Sequence, residues 1–379
     1  MGACVHKKSK IDTENLDALI LKRKFSSIVM TNEQASKLKI DNPDSQINDS
    51  IKPSKGKSEQ GSLMLFKEKI ILEGLLSTSK QHGFEEKRMS INRDEINPQI
   101  LSDLGISVTC KKGLKPDCPN QDDYFVAIDN QAILFGVFDG HGPFGHDISN
   151  YVHKVLPSII SNYPQWEFDP EQAFRKSFKD CHNLLISESE SLNKTFDCSI
   201  SGTTATLAYM SKSKLCIAHV GDSRAVLAQS IGNEIKAKIL TKDHRPNLPE
   251  ENERIGKFGG EVRQLSEDSP YRVFFPGENY PGLNMSRSFG DKLSRGLGVI
   301  CEPDVLSLNL TEDDLFILIC SDGVWEFITS QEAVNLVNKC DGDAKKASEK
   351  LSALAWMRWK QHFNSLVDDI TVILVYLNR

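Results

Sequence analysis

The sequence has no run of about 18 consecutive apolar residues, the length a helix needs to cross a bilayer. Its longest apolar stretches, such as Leu315 to Cys320, are strand length. It also lacks a basic excess, with a net charge of −6 and an isoelectric point near 5.9. Nucleic acid is therefore not an expected partner. The cysteines are nine, an odd count, and none has paired metal-ligand spacing; the closest pair, Cys110 and Cys118, is separated by seven residues. This speaks against a disulfide framework and for a reducing cytosol or nucleus. The start lacks the apolar stretch of a secretory signal, so a cytoplasmic location is expected and the acceptor triplets at Asn193, Asn284 and Asn309 carry no weight. No internal repeat and no sustained heptad is present, so the chain is read as a monomer.

What is present is ample apolar material: 39% of the 379 residues are hydrophobic, enough for one large core or two. Residues 1–62 are the exception. They are rich in Lys, Ser, Asn, Asp and Gln with few aromatics, and are expected to be a largely disordered tail. Between Met64 and Leu76 apolar residues return at helical spacing, so residues 63–83 are expected to hold a short amphipathic helix and a linker. The main domain is expected over residues 84–379.

Within it, Tyr124 to Ile128 and Ala132 to Phe138 flank Asp129-Asn130, which predicts a hairpin. Thr203 to Met210, Leu215 to Val220 and Ala225 to Leu227 read as a meander. Leu315 to Cys320 and Ile370 to Tyr376 are nearly all apolar and suit strands buried on both faces. Helices are predicted over Asp147 to Ile160, Glu171 to Glu190, Ser330 to Lys339 and Ala344 to Trp359, with Asp169 and Ser330 as N-caps. Regular βαβ alternation is missing, so the fold class is α+β, layered and mainly antiparallel.

The sharpest local feature is Phe138-Asp139-Gly140-His141-Gly142, which follows a strongly apolar strand. A strand end delivers a carboxylate to a fixed point, and glycines allow close backbone approach, so the Gly140 carbonyl also comes within reach of a cation. Alone, the segment reads equally well as a turn. The arrangement recurs, however. Asp322 leaves the strand ending at Cys320, Asp222 leaves the strand ending at Val220, and Asp368 with Asp369 enters the final strand. Carboxylates beside a core are costly unless paired or metal-bound. Apart from Arg224 next to Asp222, these segments hold too few basic residues to neutralise them. Oxygen ligands without Cys or His pairing select Mg²⁺ or Mn²⁺. Two such ions roughly 4 Å apart clamp a phosphoryl group and lower the pKa of a bridging water, which is hydrolase chemistry. His141 is placed either to protonate a leaving alkoxide or to serve as a structural histidine.

Nine ordered stretches together resemble the metal-dependent type 2C protein phosphatases, the PPM family. They are Asn120-Gln121-Asp122-Asp123-Tyr124, Val137 to Gly142, Ser201 to Ala205, Val220 to Arg224, Leu240 to Pro246, Ser286 to Asp291, Glu302 to Asp304, Cys320 to Trp325 and Asp368 to Val372. The resemblance covers roughly residues 84 to 379. It implies a central antiparallel β-sandwich with helices on both outer faces, a four-layer α-β-β-α fold, and two Mn²⁺ or Mg²⁺ ions at one end. Asp139 would bridge both ions, the Gly140 carbonyl would serve one, and Asp322 and Asp368 the other. His141 falls at the family's general acid, and Asp222 and Glu326 at a weaker third metal site. A variable flap falls over about 247–283. Three departures stand out. Gln121 occupies a place often held by Glu, which shifts its role to Asp122. Glu326 stands where Asp is common. The phosphate-gripping Arg has no counterpart, leaving Lys115 or Lys112 as substitutes, each a point charge rather than a fork.

The implied activity is hydrolysis of phosphoserine and phosphothreonine monoesters in phosphorylated protein substrates. Two rivals remain: a pseudophosphatase retained as a regulatory binding module, and a two-metal hydrolase acting on nucleic acid or nucleotides. The full set Asp139, Asp322 and Asp368 argues against the first, and the acidic balance against the second. At the N-terminus, Gly2 and Cys4 offer myristoylation and palmitoylation beside Lys7, Lys8 and Lys10, which would attach the chain peripherally to a membrane. His6 departs from the usual Ser or Thr. Lys87-Arg88-Met89-Ser90 has the look of a basic kinase-substrate site.

Overall fold

The computed structural model describes residues 70–76, 85–91, 99–115, 118–128 and 132–377. Two antiparallel sheets stack face to face. The first runs in the order β15 (Asp304–Asn309), β8 (Lys214–Val220), β7 (Ala205–Ser211), β5 (Ala132–His141), β4 (Asp122–Ile128), β1 (Ile70–Gly74) and β2 (Met89–Ile91). Two short strands, β6 (Gly202–Thr203) and β14 (Phe289–Gly290), continue from the end of β5. The second sheet runs β10 (Glu234–Ile239), β9 (Arg224–Ile231), β16 (Asp314–Cys320), β17 (Ile370–Tyr376) and β3 (Ile106–Lys111).

Side-chain alternation builds the layers. Along β4 and β5, Tyr124, Val126, Phe135 and Val137 point between the sheets, where they meet Leu227, Ile317, Ile319, Ile373 and Val375. Their neighbours Phe125, Leu134 and Phe138 point outward and bury the apolar faces of helices α1 (Gly145–Asn162) and α2 (Pro170–Ser189). On the opposite face, Leu318, Val372 and Leu374 are covered by α3 (Ser330–Asn338) and α4 (Ala344–Phe363), through Val334, Val337, Leu351 and Trp359. Each large apolar side chain buried this way contributes roughly 1.5–3 kcal/mol. The expected four-layer α-β-β-α order is therefore the one observed.

Several expectations need correction. Residues 70–74 are not helical. They form β1, inserted antiparallel between β4 and β2, with Leu72 opposite Val126. The run Ile70-Ile71-Leu72 fits a buried strand as well as a helix, and the open edge of β4 decides between them. The sandwich thus begins at Ile70 rather than near 84; residues 63–69, like the tail 1–62, lie outside the described residues. The third meander strand extends to Ile231 and is followed by β10. Asp169 does cap α2, accepting from the Gln172 amide at 3.1 Å, but the cap of α3 is Thr329 rather than Ser330. Lys87, read as part of a basic segment, is buried in an ion pair with Asp123 at 2.9 Å.

The segment read as a flap has its own secondary structure. A helix, Pro249–Lys257, precedes a three-stranded sheet of β11 (Glu261–Arg263), β12 (Arg272–Phe274) and β13 (Pro281–Leu283). Ile255, Val273 and Leu283 pack with Met285, Leu297 and Val299 of the following chain in one apolar cluster.

Candidate active site

Both sheets end at one cavity of about 170 Å³, and the carboxylates of Asp139, Asp222, Asp291, Asp322 and Asp368 all line it. Each arrives on a rigid element. Asp139 sits near the end of β5, its amide donating to Thr204 Oγ1 at 3.0 Å and its carbonyl accepting from the Thr204 amide at 2.9 Å. Asp322 starts a single helical turn after β16, a turn held by Trp359 Nε1 donating to the Gly323 carbonyl at 2.7 Å. Asp368 precedes β17. Ligand oxygens of Asp139, Asp222 and Asp322 lie within 4.8 Å of one another.

Such crowding is electrostatically costly. Burial pushes the Asp139 carboxyl well above its usual range, and Asp122, Asp322 and Asp368 add to the shift. Asp322 is raised in the same way by burial, then by Asp222 and Asp368. Among the described residues, Lys115 and Arg245 form ion pairs with these carboxylates. Lys115 Nζ pairs with Asp368 Oδ1, and Arg245 Nη1 lies 2.8 Å from Asp222 Oδ2. Burial opposes the Lys115 charge, yet Asp368, Asp369 and Asp139 outweigh it and hold its pKa high.

Gly140 runs along the cavity floor. A Cβ there would meet the Gly145 carbonyl oxygen at 2.2 Å and that of Gln121 at 2.6 Å, so no side chain fits. Gly142, at φ +80°, turns the chain into α1, and Gln121 Nε2 pins its carbonyl at 2.7 Å. Between them, His141 Nε2 lies 2.7 Å from Asp291 Oδ2, which also accepts from Ser288 Oγ at 2.5 Å. His141 Nδ1 is buried and has no partner among the described residues.

A family model for protein phosphatase 2C matches residues 118–361. A probable protein phosphatase 2C 61 of Arabidopsis thaliana is 37% identical over 318 residues, covering 80% of this chain and 94% of that protein. The chain belongs to the protein phosphatase 2C family. Its enzyme class is accordingly that of a metal-dependent phosphoprotein phosphatase. A probable protein phosphatase 2C 65 of the same plant is 35% identical over 286 residues, 71% of this chain and 74% of its own. In fold, the chain is similar to the serine-threonine phosphatase 2C of Toxoplasma gondii, with a TM-score of 0.63 at 22% identity over 72% of this chain and 94% of that one.

Within this phosphatase 2C framework the sequence-read residues fall into distinct places. Asp139, Gly140, His141, Asp222, Asp322, Asp368 and Lys115 share the cavity. Asp122 stands behind Asp139, its Cα partner across the β4–β5 ladder. It accepts from Ser321 Oγ and Thr371 Oγ1, both at 2.7 Å, and its Oδ1 has no hydrogen-bond partner among the described residues. Burial, then the neighbouring Asp369, pushes it up to about 7. Glu326 lines an adjoining cleft instead. Lys112 is buried beside the Gly113 carbonyl and is not among the cavity-lining residues. Arg224 does not neutralise Asp222; it forks onto Asp243 at 2.9 and 2.7 Å, and Arg245 takes its expected place. Gly2 and Cys4 lie outside the described residues.

Two cavity residues escaped the sequence reading. Asp291, the partner of His141, lies 150 positions away and holds a left-handed φ of 47°. The motif Ser286 to Asp291 marked the segment but not this pairing. Arg272 reaches the cavity from flap strand β12, with Nη1 donating to the Gly282 carbonyl at 2.5 Å. Burial, then the Arg245 cation, lowers its guanidinium to about 10. Nothing in the local sequence separates it from other strand arginines.

Among the described residues, a second group of metal-type side chains, His219, His244 and Asp304, has a different use. His244 Nδ1 accepts from the Gly221 amide at 3.1 Å, which leaves its proton on Nε2, 3.2 Å from Asp304 Oδ2. That nitrogen is engaged as a donor, and the pair fixes the turn presenting Asp222.

Proposed function

We infer that the chain hydrolyses phosphoserine and phosphothreonine monoesters in phosphorylated proteins by direct attack of water, without a covalent enzyme intermediate. The observation that carries this reading is the convergence of Asp139, Asp222, Asp322 and Asp368 in one cavity with the His141–Asp291 pair. The donor set fits Mn²⁺ or Mg²⁺: all-oxygen ligands, carboxyls raised by mutual repulsion, and a buried Asp122 oxygen awaiting a partner. Asp139, the Gly140 carbonyl, Asp322 and Asp368 would hold two ions, with Asp222 and Glu326 toward a weaker third. Bound there, such ions supply charge neutralisation for a phosphoryl group and acidify water.

The remaining work falls to the chain's own groups. Asp291 engages His141 Nε2 and fixes the ring beside the cavity, where His141 would pass a proton to the leaving alkoxide. Lys115 and Arg272 converge on the cavity as cations for the phosphoryl oxygens, and the Arg272 guanidinium offers the fork that a lysine lacks. The flap narrows access over Pro281–Leu283.

The test is phosphate release from a phosphothreonine peptide with Mn²⁺, with EDTA, and with Asp139→Ala. Turnover that survives EDTA would contradict the metal reading, and no turnover under varied metals would favour the regulatory module. Gly2 and Cys4 are proposed as lipidation sites for peripheral membrane attachment. Gly2→Ala should then move the protein from membrane to soluble fractions, and an unchanged distribution would exclude the anchor.

A further inference from the structure

We propose that the flap carboxylates Glu267 and Asp268 select phosphoprotein segments carrying a lysine or arginine close to the phosphorylated residue. This rests on the hydrolase reading above and names a substrate feature for the same site. The carboxylate cavity, at about 170 Å³, has room for a phosphoryl group and little more, so a polypeptide substrate must continue beyond it. A cleft of about 360 Å³ adjoins it, and Asn284 and Asp322 line both. The cleft therefore leads directly away from the phosphoryl position.

The flap wall of this cleft is acidic. Glu267 and Asp268 are exposed along it, and the exposed Glu326 lines the same cleft. The cleft's arginine, Arg245, is already engaged with Asp222. Four other carboxylates of the flap region are paired, Glu250 with Lys242, Glu251 with Arg254 and Arg287, Glu253 with Lys257, and Glu261 with Arg263, while Glu278 does not line this cleft. Glu267 and Asp268 form no ion pair among the described residues. Nor do they belong to any group of three ligand atoms close enough to hold an ion, so a positively charged side chain suits them better than a metal. Their turn is fixed, because Ser269 Oγ accepts from the Leu265 and Ser266 amides at 3.0 and 2.9 Å. Tyr271, 40% exposed in the same wall, offers a ring face for the alkyl stem and cation of such a side chain.

The experiment measures kcat/KM with Mn²⁺ for phosphothreonine peptides that differ only in Arg, Ala or Asp within two residues on either side. Arg should give values about three- to tenfold above Ala, the scale of one or two exposed charge pairs. That preference should fade as added salt shortens the screening length. In Glu267→Gln/Asp268→Asn the Arg-to-Ala ratio should fall to about one, and Glu267→Lys/Asp268→Lys should favour the Asp peptide. Equal values across the peptides in the wild type, or an unchanged ratio in the neutral double variant, would overturn the inference. If the Ala peptide is hydrolysed without any preference, the phosphatase reading stands and this one falls. If no peptide is hydrolysed, both fall.

Discussion

Asp122 and Asp139 are direct Cα partners across the β4–β5 ladder, so one hairpin sets two acidic side chains against each other at the edge of the cavity. Neither forms an ion pair with a basic residue among the described residues. Asp122 rests on two hydroxyls, and the Asp139 carboxyl faces the space shared with Asp222 and Asp322.

Divalent cation should therefore stabilise the fold. At a free Mn²⁺ concentration 100 times its Kd, mass action adds about 2.7 kcal/mol, visible as a higher Tm in calorimetry. Asp139→Ala should weaken Mn²⁺ binding by more than about 100-fold, beyond the usual cost of losing an outer-shell group, and lower turnover with it. A Tm indifferent to Mn²⁺ in the wild-type protein would count against the cation cluster.

His141→Ala should slow hydrolysis of phosphothreonine peptides by about 10²–10⁴, while aryl phosphates, whose leaving groups need no proton, lose far less. Asp291→Asn should move both substrates in the same direction by smaller amounts, because it disturbs ring orientation alone. Equal losses on the two substrates in His141→Ala would remove His141 as the acid.

Lys115 and Lys112 are three positions apart, yet only Lys115 is among the cavity-lining residues. Lys115→Met should raise KM for phosphopeptides by about tenfold, a loss near 1.4 kcal/mol, whereas Lys112→Met should leave KM unchanged. Steady-state kinetics on the two variants decides which lysine meets phosphate.

Glu251 anchors the flap helix. Burial would raise its carboxyl, but hydrogen bonds from Arg254, Arg287 and Ser286 prevail and hold it at about 2. A depressed acid gives stability above its unfolded pKa and loses it as pH falls toward the folded one. Glu251→Gln should thus cost roughly 3 kcal/mol near pH 6, typical of one partner removed from a buried charge network. The gap in Tm should shrink between about pH 4.5 and 2. A gap that stays constant over that range would refute the ionic account.

The amino-acid sequence by itself determined the strands that carry the site. Leu134 to Phe138, Leu315 to Cys320 and Ile370 to Tyr376 are apolar enough to be buried wherever they pair, and the Asp at or beside the end of each is local information. It also marked Gly140, where a close backbone approach tolerates no Cβ. Only the tertiary structure decided which distant groups meet. Residues 70–72 suit helix or strand, and the free edge of β4 made them a strand. Asp222 could have turned to its neighbour Arg224, but the sheet packing aims that guanidinium at Asp243 and brings Arg245 instead. Asp291 and Arg272 enter the cavity through long-range closure of the β14 turn and the flap. Sequence periodicity reports which face of an element is buried, while ion pairing depends on side-chain direction across elements far apart in the chain, and that is fixed only once the layers are packed.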